Sequence, residues 1–376
     1  MNIFRFLNVG QGLFYSGRID YSYHYHCCCE PINLSHNHNH YRFHRHDDSF
    51  RFVYDCGSIS KNHEMYLNRA IKSDFSKDEI IDLLFLSHFH EDHINGFNLL
   101  KNHCKEIKNI ILPYLFGNEI ILLTYLAINT TYDLDNSIEF AYFYQTFETF
   151  SKYSSQDTLN LEGGEIKSRR KKHFFDYDIN KYDKKNDFEY LETLFEVNGW
   201  VFYLINKARN KNVINQIKKA IMKLVGSEEI EDIEEFIKYK NNLDKIKKIY
   251  QTYLGQDMNL SSIVLLHHRK DCLDEVTMLT GDANFDDQMI ELCEKYLREN
   301  EVAHLQLPHH GSYKNFKAMK QLKDKSVNLY VSYGLGNPYR HPDSKTVNEI
   351  LQSGKPIFSS YESLHFYFPW NEYIVD

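Results

Sequence analysis

The sequence contains few cysteines. There are seven among 376 residues, and three of them are adjacent, at positions 27, 28 and 29. An odd number that includes a run of three is a poor basis for the disulfide framework on which many small extracellular domains rely. The cysteine content therefore predicts a protein whose thiols stay reduced.

Long hydrophobic runs are also missing. The most apolar region, 110–128, is interrupted by Pro113, Gly117 and Asn118, so it does not suit a segment that spans a bilayer. Residues 1–5 lead directly into a strand-like pattern and do not resemble a signal peptide. We therefore expect a soluble, cytoplasmic protein with no membrane partner.

Positively charged residues are fewer than negatively charged ones: the chain has 44 Lys and Arg and 52 Asp and Glu, which gives a net charge of −8. This balance disfavours a protein that coats nucleic acid nonspecifically. It leaves room for a nuclease, because a metal site and a local basic patch can together bind phosphate groups. One such patch lies at 167–172, and we expect its Arg169, Arg170 and Lys171 to contact substrate.

Strand and helix patterns alternate at both ends of the chain, around a middle with sparse strand signals. Predicted strands are two within 2–18, then 50–55, 82–87, 109–113, 260–266, 275–280, 303–307 and 328–332. Predicted helices are 62–80, 211–224, 228–254, 285–299 and 344–353, and the middle has one candidate strand at 199–204.

This alternation predicts an α/β domain formed by 1–116 and 258–376, with a mostly helical insertion at 117–257. The insertion suits three roles: a lid, a substrate platform or a surface that docks a protein partner. We expect it to govern specificity.

A histidine cluster follows a short apolar run in the segment LLFLSHFHEDHING, residues 83–96. His88 and His90 would share one side of a continuing strand, and Asp92 with His93 would start the next loop or helix. Imidazoles and a carboxylate at such a corner suit Zn²⁺, Mn²⁺ or Fe. An exposed histidine-rich turn is the alternative, but this spacing directly behind an apolar strand favours a metal site.

Two further strand ends carry potential metal ligands. Asp282 follows the predicted strand 275–280, and His309 with His310 follows the strand 303–307. Asp55 ends the strand 50–55 and suits a hydrogen-bond acceptor that holds a liganding histidine in place. The sequence therefore predicts three corners of one architecture that converge on one point.

The segment 24–46 is rich in histidine, with an alternating pattern from position 36 to 46. Together with the adjacent cysteines at 27–29 it could form a second metal site. An exposed, low-complexity hairpin extension is the interpretation that we favour.

Several motifs resemble those of the metallo-β-lactamase-fold hydrolases. Within that superfamily the chain is most similar to the nuclease-like domain of the ComEC-type competence proteins, here without a membrane channel. The matching segments are Val9–Gly12, Tyr54–Gly57, Ser87–His93, Asn259–Leu265, Leu279–Ala283, Leu307–Ser312 and Ser332–Gly334, with Asn337, Tyr339, His341 and Pro342.

The resemblance implies a four-layer αββα sandwich with two divalent ions, Zn or Mn, at its edge. His88 and His90 would bind one ion, Asp92 and His93 the other, and Asp282 would bridge both. One of His309 and His310 would complete the second site; we assign His309 as the ligand and His310 to the chemistry. His267 and His268 are weaker candidates for the further histidine that the superfamily usually carries before the bridging aspartate.

The implied activity is that of a dinuclear metal-dependent hydrolase, most suitably a phosphodiesterase or nuclease that acts on DNA, RNA or a small nucleotide. Asp92 would orient the metal-activated water, and His341 or the non-ligand histidine of the 309–310 pair would protonate the leaving oxygen. The motif residues Ser312, Asn337 and Tyr339 would contact substrate. The alternatives are hydrolysis of another ester or amide, as in phosphocholine esterases and lactonases, or a metal-stabilised regulatory component of a multi-protein system.

Overall fold

The computed structural model describes residues 2–20, 49–115, 117–130, 132, 134–154, 188–197, 199–255, 258–270, 272, 275–362 and 366–370. The histidine-rich segment 24–46 and the basic patch with Arg169, Arg170 and Lys171 lie outside the described residues. The described part of the chain is an α/β protein with mixed sheets. Among its helices, none has the length and apolarity that crossing a membrane requires.

In chain order, the strands are β1 (Asn2–Phe6), β2 (Phe14–Asp20), β3 (Ser49–Cys56), β4 (Ile80–Ile81), β5 (Leu83–Phe85), β6 (Glu106–Ile107), β7 (Ile110–Ile111), β8 (Phe188–Val197), β9 (Trp200–Arg209), β10 (Ser261–Arg269), β11 (Val276–Leu279), β12 (Val302–Gln306), β13 (Ser326–Ser332), β14 (Ile357–Ser360) and β15 (Phe366–Trp370). The helices are α1 (His63–Asp74), α2 (Glu91–Ile94), α3 (Phe97–His103), α4 (Glu119–Ile128), α5 (Ser137–Ser154), α6 (Lys211–Val225), α7 (Ile230–Ile237), α8 (Lys240–Leu254), α9 (Asp287–Leu297), α10 (Tyr313–Ala318), α11 (Lys320–Asp324) and α12 (Ser344–Gln352).

Two large sheets contain most of the strands. The first has the order β15-β1-β2-β3-β5-β7, in which β3, β5 and β7 are parallel and the remaining neighbours antiparallel. The second has the order β14-β13-β12-β11-β10-β9-β8, with β11 to β14 parallel. Because the carboxyl ends of parallel strands lie at one edge of a sheet, each sheet presents several strand-to-loop corners along that edge.

Each sheet buries both of its faces. On β3, Phe52 belongs to a cluster made by side chains of both sheets, whereas the next residue, Val53, packs with helices α1 and α3. On β10, Leu265 belongs to the same inter-sheet cluster and Val264 packs with α9 and α10. Side chains alternate between the two faces of a strand, which explains why these strands are apolar without interruption.

The predicted helical insertion shares its core with the first sheet. Side chains of α4, α6 and α8 belong to the same buried cluster as Val53 and Leu84. The segment 117–257 also contains two strands where the sequence indicated one, because β8 and β9 form a hairpin that extends the second sheet. Strand β9 pairs with β10 along its whole length, from Ala208↔Ser261 to Trp200↔Arg269.

Most other predicted elements are confirmed within a few residues at each end. The predicted helix at 228–254 is two helices, α7 and α8, with the break at residues 238 and 239. The predicted helix at 62–80 ends at Asp74, and β4 takes its last residue.

Asp74, at the end of α1, is a buried carboxylate that pairs with two arginines. It contacts Arg5 and lies 3.0 Å from Nη2 of Arg51, whose side chain is only 5% exposed. We predict that Asp74→Ala lowers the free energy of unfolding by about 1.5–3 kcal/mol, because the buried Arg51 charge loses one carboxylate partner and keeps only Glu79, 2.8 Å from its Nε. Urea denaturation measures the effect.

Asp78→Ala is the matched control, since Asp78 is exposed in the loop that follows the same helix. Its stability should stay within about 0.5 kcal/mol of the wild type. Equal unfolding midpoints for the two variants would contradict the role assigned to Asp74.

Candidate metal centre

The predicted ligands come together where strands of both sheets end. Asp55 is the next-to-last residue of β3, and His88 follows β5. Asp282 follows β11, and His309 with His310 follows β12. A hydrogen bond of 2.8 Å from the Ile263 nitrogen to the Ser87 oxygen joins the two sheets beside the histidines.

Two groups of donor atoms form at this point. Asp92, His93, Asp282 and His310 make one group, and His88, His90 and Asp282 make the other, with the donor atoms of each group within 4.8 Å of one another. Asp282 is common to both. These buried histidines and aspartates therefore lie within the distance at which they can bind an ion.

The separations fit a cation between the donors. Nε2 of His93 lies 3.4 Å from Oδ1 of Asp282, and Nε2 of His310 lies 3.2 Å from Oδ2 of Asp92. Ligands about 2.0–2.1 Å from a tetrahedral Zn²⁺ would themselves be about 3.3 Å apart. These two separations are close to that value, whereas Nε2 of His93 and Oδ1 of Asp92 are 3.9 Å apart.

Three atoms of the cluster are buried without a hydrogen-bond partner among the described residues. They are Nε2 of His88, Nε2 of His93 and Oδ1 of Asp282. Buried polar atoms nearly always have a partner, because an unsatisfied one costs about 1–3 kcal/mol. All three belong to the two donor groups, and ions bound by these two groups would satisfy them.

Asp55 holds the histidines as the sequence predicted. Its Oδ2 accepts a hydrogen bond from Nδ1 of His93 at 2.7 Å, and both carboxylate oxygens accept from Ser87 at 2.6 Å. Nδ1 of His88 lies 3.0 Å from the Ser87 hydroxyl. These contacts place the hydrogens on the Nδ1 atoms and leave the Nε2 lone pairs directed at the cluster.

The turn at 309–310 presents two imidazoles in different ways. His310 donates from Nδ1 to the Ser332 oxygen at 2.7 Å, which directs its Nε2 at Asp92. His309 contacts Asp282 through Nδ1, at 3.2 Å, and is not part of either donor group. The sequence assigned His309 as the ligand and His310 to the chemistry, whereas the donor group among the described residues contains His310. The choice between the two rings stays a prediction.

The backbone of the 309–310 turn has an unusual conformation. His309 and His310 have φ values of 48° and 52°, so two consecutive non-glycine residues adopt the left-handed conformation. Asp55 is also left-handed, with φ of 56°. Such residues are uncommon and tend to cluster at functional sites, where the surrounding structure maintains the strain.

The electrostatics of the cluster favour the ligand forms of most of its side chains. Burial, followed by the neighbouring His93, lowers the pKa of His88 well below its ordinary value, and burial also lowers the pKa of His90. Burial opposes charge on Asp282, but His309 and His93 outweigh it and hold the pKa of that carboxyl well below its ordinary value. Neutral imidazoles beside an ionised carboxylate are the donors that a divalent ion requires.

The pKa of His93 is shifted in the opposite direction from those of His88 and His90. Burial disfavours its charged form, but the carboxylates of Asp55, Asp282 and Asp92 outweigh that effect and raise the pKa of His93 well above its ordinary value. Three carboxylates that favour a proton on one ring also favour a divalent cation beside it.

The structure does not bring His267 and His268 to the cluster. Strand β10 continues through both residues, so His267 faces the inter-sheet core and His268 the opposite side. His267 accepts a hydrogen bond from the Trp200 indole at 3.2 Å and lies 2.9 Å from the Tyr15 hydroxyl. Both nitrogens of His268 are also hydrogen-bonded, to the Arg269 oxygen and the Tyr296 hydroxyl. Neither ring is placed to be a ligand of this centre.

Of the predicted substrate residues, Ser312, Asn337 and Tyr339 are described and lie in the loops next to the 309–310 turn. Asn337 holds its own loop, because its amide donates to the His341 oxygen at 2.7 Å and accepts from the His341 nitrogen at 3.0 Å. Tyr339 is 61% exposed, with its ring nearly parallel to that of His341. Nδ1 of His341 is buried without a hydrogen-bond partner in the described structure. Ser312 donates its backbone N–H to the His309 oxygen at 3.0 Å and precedes α10.

Two residues that hold the ligands were missed in the sequence. The Gln306 side chain accepts hydrogen bonds from the backbone nitrogens of Thr280 at 2.7 Å and Gly281 at 2.8 Å, and so fixes the turn that carries Asp282. Its signal was a lone amide in an otherwise apolar strand end. Ser87, described above, had a signal only in its position directly before His88.

Glycine is required where two turns of the site approach each other. A Cβ atom on Gly57 would lie 2.3 Å from the carbonyl carbon of Asp92 and from the backbone nitrogen of His93. The loop after β3 therefore packs backbone against backbone with the histidine motif, and Gly57 helps to set where Asp92 and His93 lie.

Fold and site together define an α/β protein with a buried histidine–carboxylate cluster at the carboxyl edges of its two sheets. No protein-family model matches the chain, and no curated protein matches it either.

Proposed function

We propose that the chain is a dinuclear metal-dependent hydrolase that cleaves phosphodiesters in nucleic acid or a small nucleotide. The observation that carries the proposal is the pair of donor groups that share Asp282. Zn²⁺ and Mn²⁺ are the ions that this mixture of imidazole and carboxylate donors suits best. His88, His90 and Asp282 would hold one ion, and Asp92, His93, Asp282 and His310 the other.

The packing of the two sheets supports the same class. One buried cluster lies between the sheets, and two others lie between a sheet and helices. This order supports a four-layer αββα arrangement, which we propose in keeping with the resemblance to metallo-β-lactamase-fold hydrolases and the ComEC-type nuclease-like domain.

Two adjacent divalent ions lower the pKa of a bound water and neutralise charge on a phosphoryl group. The group with His88 and His90 has three protein donors. Catalytic metal sites commonly have three protein ligands and leave the fourth coordination position open for water or substrate. Asp92 contacts His310 through Oδ2, and we assign its other oxygen to orient the nucleophilic water.

His309 and His341 are the remaining imidazoles at the site. The His309 side chain is 27% exposed, and its Nε2 is a buried atom that has no hydrogen-bond partner among the described residues. We assign this nitrogen to protonate the leaving oxygen. Burial and the neighbouring His310 lower the pKa of His341. A neutral His341 would therefore donate a hydrogen bond to a phosphoryl oxygen and would not carry a proton to the leaving group.

A substrate panel tests the proposal. After reconstitution with Mn²⁺ or Zn²⁺, the protein should bind about two ions per chain and cleave a chromogenic phosphodiester, single-stranded DNA or RNA. A chelator should abolish the cleavage, and added metal should restore it. Elemental analysis and product formation are the two measurements.

His90→Ala should abolish cleavage, whereas His63→Ala, at the start of α1 and outside both donor groups, should not. Hydrolysis confined to lactones or phosphocholine esters would move the protein to another hydrolase class. A reconstituted protein without metal would overturn the proposal altogether.

A further inference from the structure

Helix α4 sends a tyrosine into the metal centre from within the segment predicted as an insertion. Tyr125 is fully buried, and its hydroxyl oxygen lies 3.3 Å from Nε2 of His90 and 2.9 Å from the backbone oxygen of Met258. The sequence pattern predicted no metal ligand within 117–257. The contact therefore gives this segment a part in the site that its sequence did not indicate.

The hydrogen-bond roles at Tyr125 follow from counting protons. A tyrosine hydroxyl has one hydrogen, and the Met258 carbonyl can only accept, so the hydrogen lies on that bond. The hydroxyl oxygen then presents a lone pair to His90, which donates from Nε2–H. A neutral imidazole with its hydrogen on Nε2 has its lone pair on Nδ1.

We propose that Tyr125 is a positioning residue for the metal centre: it fixes the tautomer and the orientation of His90, so that His90 binds its ion through Nδ1. The inference rests on the proposed metal centre. Tyr125 would give His90 a fixed hydrogen-bond partner for the nitrogen that does not face the ion. Asp55 has this role for His93, and the Ser332 backbone oxygen has it for His310. His90 belongs to the group with three protein donors, where a misplaced ligand has no fourth to compensate for it.

A second buried tyrosine, Tyr250, also contacts helix α4. Tyr250 of α8 is buried against α4, with its hydroxyl 2.8 Å from Oγ1 of Thr124 and 3.3 Å from the Ile121 oxygen. Its ring centroid is 5.5 Å from that of Tyr125. The two tyrosines are thus neighbours with similar burial and similar hydrogen bonds, but only Tyr125 contacts a metal-ligand candidate.

This pair supplies a matched experiment. Tyr125→Phe, Tyr250→Phe and wild type are titrated with Co²⁺ in the metal-free state, and binding is followed by visible absorption and by competition with Zn²⁺. Tyr125→Phe should weaken one of the two ions by about 10–100-fold, because the loss of an outer hydrogen-bond partner typically has that effect on metal affinity. The other ion should keep its wild-type affinity, and Tyr250→Phe should match the wild type at both.

A double variant tests whether Tyr125 affects metal affinity through His90. In a His90→Ala background, Tyr125→Phe should cause no further loss of affinity, since the residue through which it acts is gone. Circular dichroism of each variant confirms that it folds.

Wild-type affinities for Tyr125→Phe would overturn the inference, and so would equal losses for Tyr125→Phe and Tyr250→Phe, which would indicate general loosening of α4. Both results leave the proposed function standing, provided that the wild type binds metal and cleaves phosphodiesters. A wild type that binds two ions without hydrolysis would instead overturn the function and leave the role of Tyr125 to be decided by the same titration.

Discussion

Asp282→Ala is expected to bind neither ion and to lose phosphodiester hydrolysis by about 1000-fold or more. The carboxylate of Asp282 belongs to both donor groups, with Nε2 of His93 at 3.4 Å and Nε2 of His88 at 4.0 Å. A catalytic metal ion contributes several kcal/mol to transition-state stabilisation, and about 4 kcal/mol corresponds to about 1000-fold in rate. Elemental analysis and initial rates in saturating Mn²⁺ measure the two effects.

Two further variants test whether both ions are lost because Asp282 belongs to both donor groups. Asp287→Ala removes an exposed carboxylate in the first turn of α9, five positions along the chain, and should change neither metal content nor rate. His88→Ala should weaken only the ion of its own group. Full metal occupancy in Asp282→Ala would show that the donor groups do not depend on this carboxylate, and the dinuclear proposal would then fail.

Gly57→Ala is expected to weaken both ions by about 10-fold or more, although Gly57 has no side chain with which to touch a metal. Its new methyl group would lie 2.3 Å from the Asp92 carbonyl carbon and the His93 nitrogen, so the histidine motif must move. A displacement of about 1 Å at a catalytic site can cost about 100-fold in rate, and overpacking a core costs about 1–3 kcal/mol of stability. Metal titration and urea denaturation would show both effects.

Gly226→Ala separates steric displacement from a general loss of stability. Gly226 ends α6 with φ of 84°, and a Cβ there would meet no atom within 4 Å. This variant should lose about 1 kcal/mol through its left-handed backbone alone and keep full metal affinity. If Gly57→Ala also kept full affinity, the contact between the two turns would have no part in placing the ligands.

The sequence was most informative where ligand chemistry and strand periodicity coincide. His88, His90, Asp92, His93 and Asp282 each follow or end an apolar strand, and the structure brings all five into the two donor groups. Asp55 could be placed for the same reason, as the polar end of an apolar strand. Residue type and position relative to a strand end were sufficient for these side chains.

Other features depend on contacts that no local pattern records. Tyr125 lies in a helix whose residues are nearly all buried, so its periodicity does not indicate which side chain meets the metal centre. His309 and His310 lie in a turn with two consecutive left-handed φ values, a conformation that residue type did not indicate. Strand β8 is an edge strand with Glu189, Glu192 and Glu196 among its residues, and this polarity concealed it in the sequence.

The cluster contains side chains that follow strands of both sheets, and this has a consequence for how the protein folds. Asp92 and His310 meet in the structure although 218 positions separate them in the chain. Contacts of such long sequence separation form slowly, because a large loop must close before they contribute any stability. During synthesis the segment with His88 to His93 is complete long before Asp282 and His310 exist, so the nascent chain offers an ion only part of its ligands. Tight binding by the proposed metal centre is therefore expected to come last in folding, and its free energy would stabilise the assembled pair of sheets rather than either half of the chain.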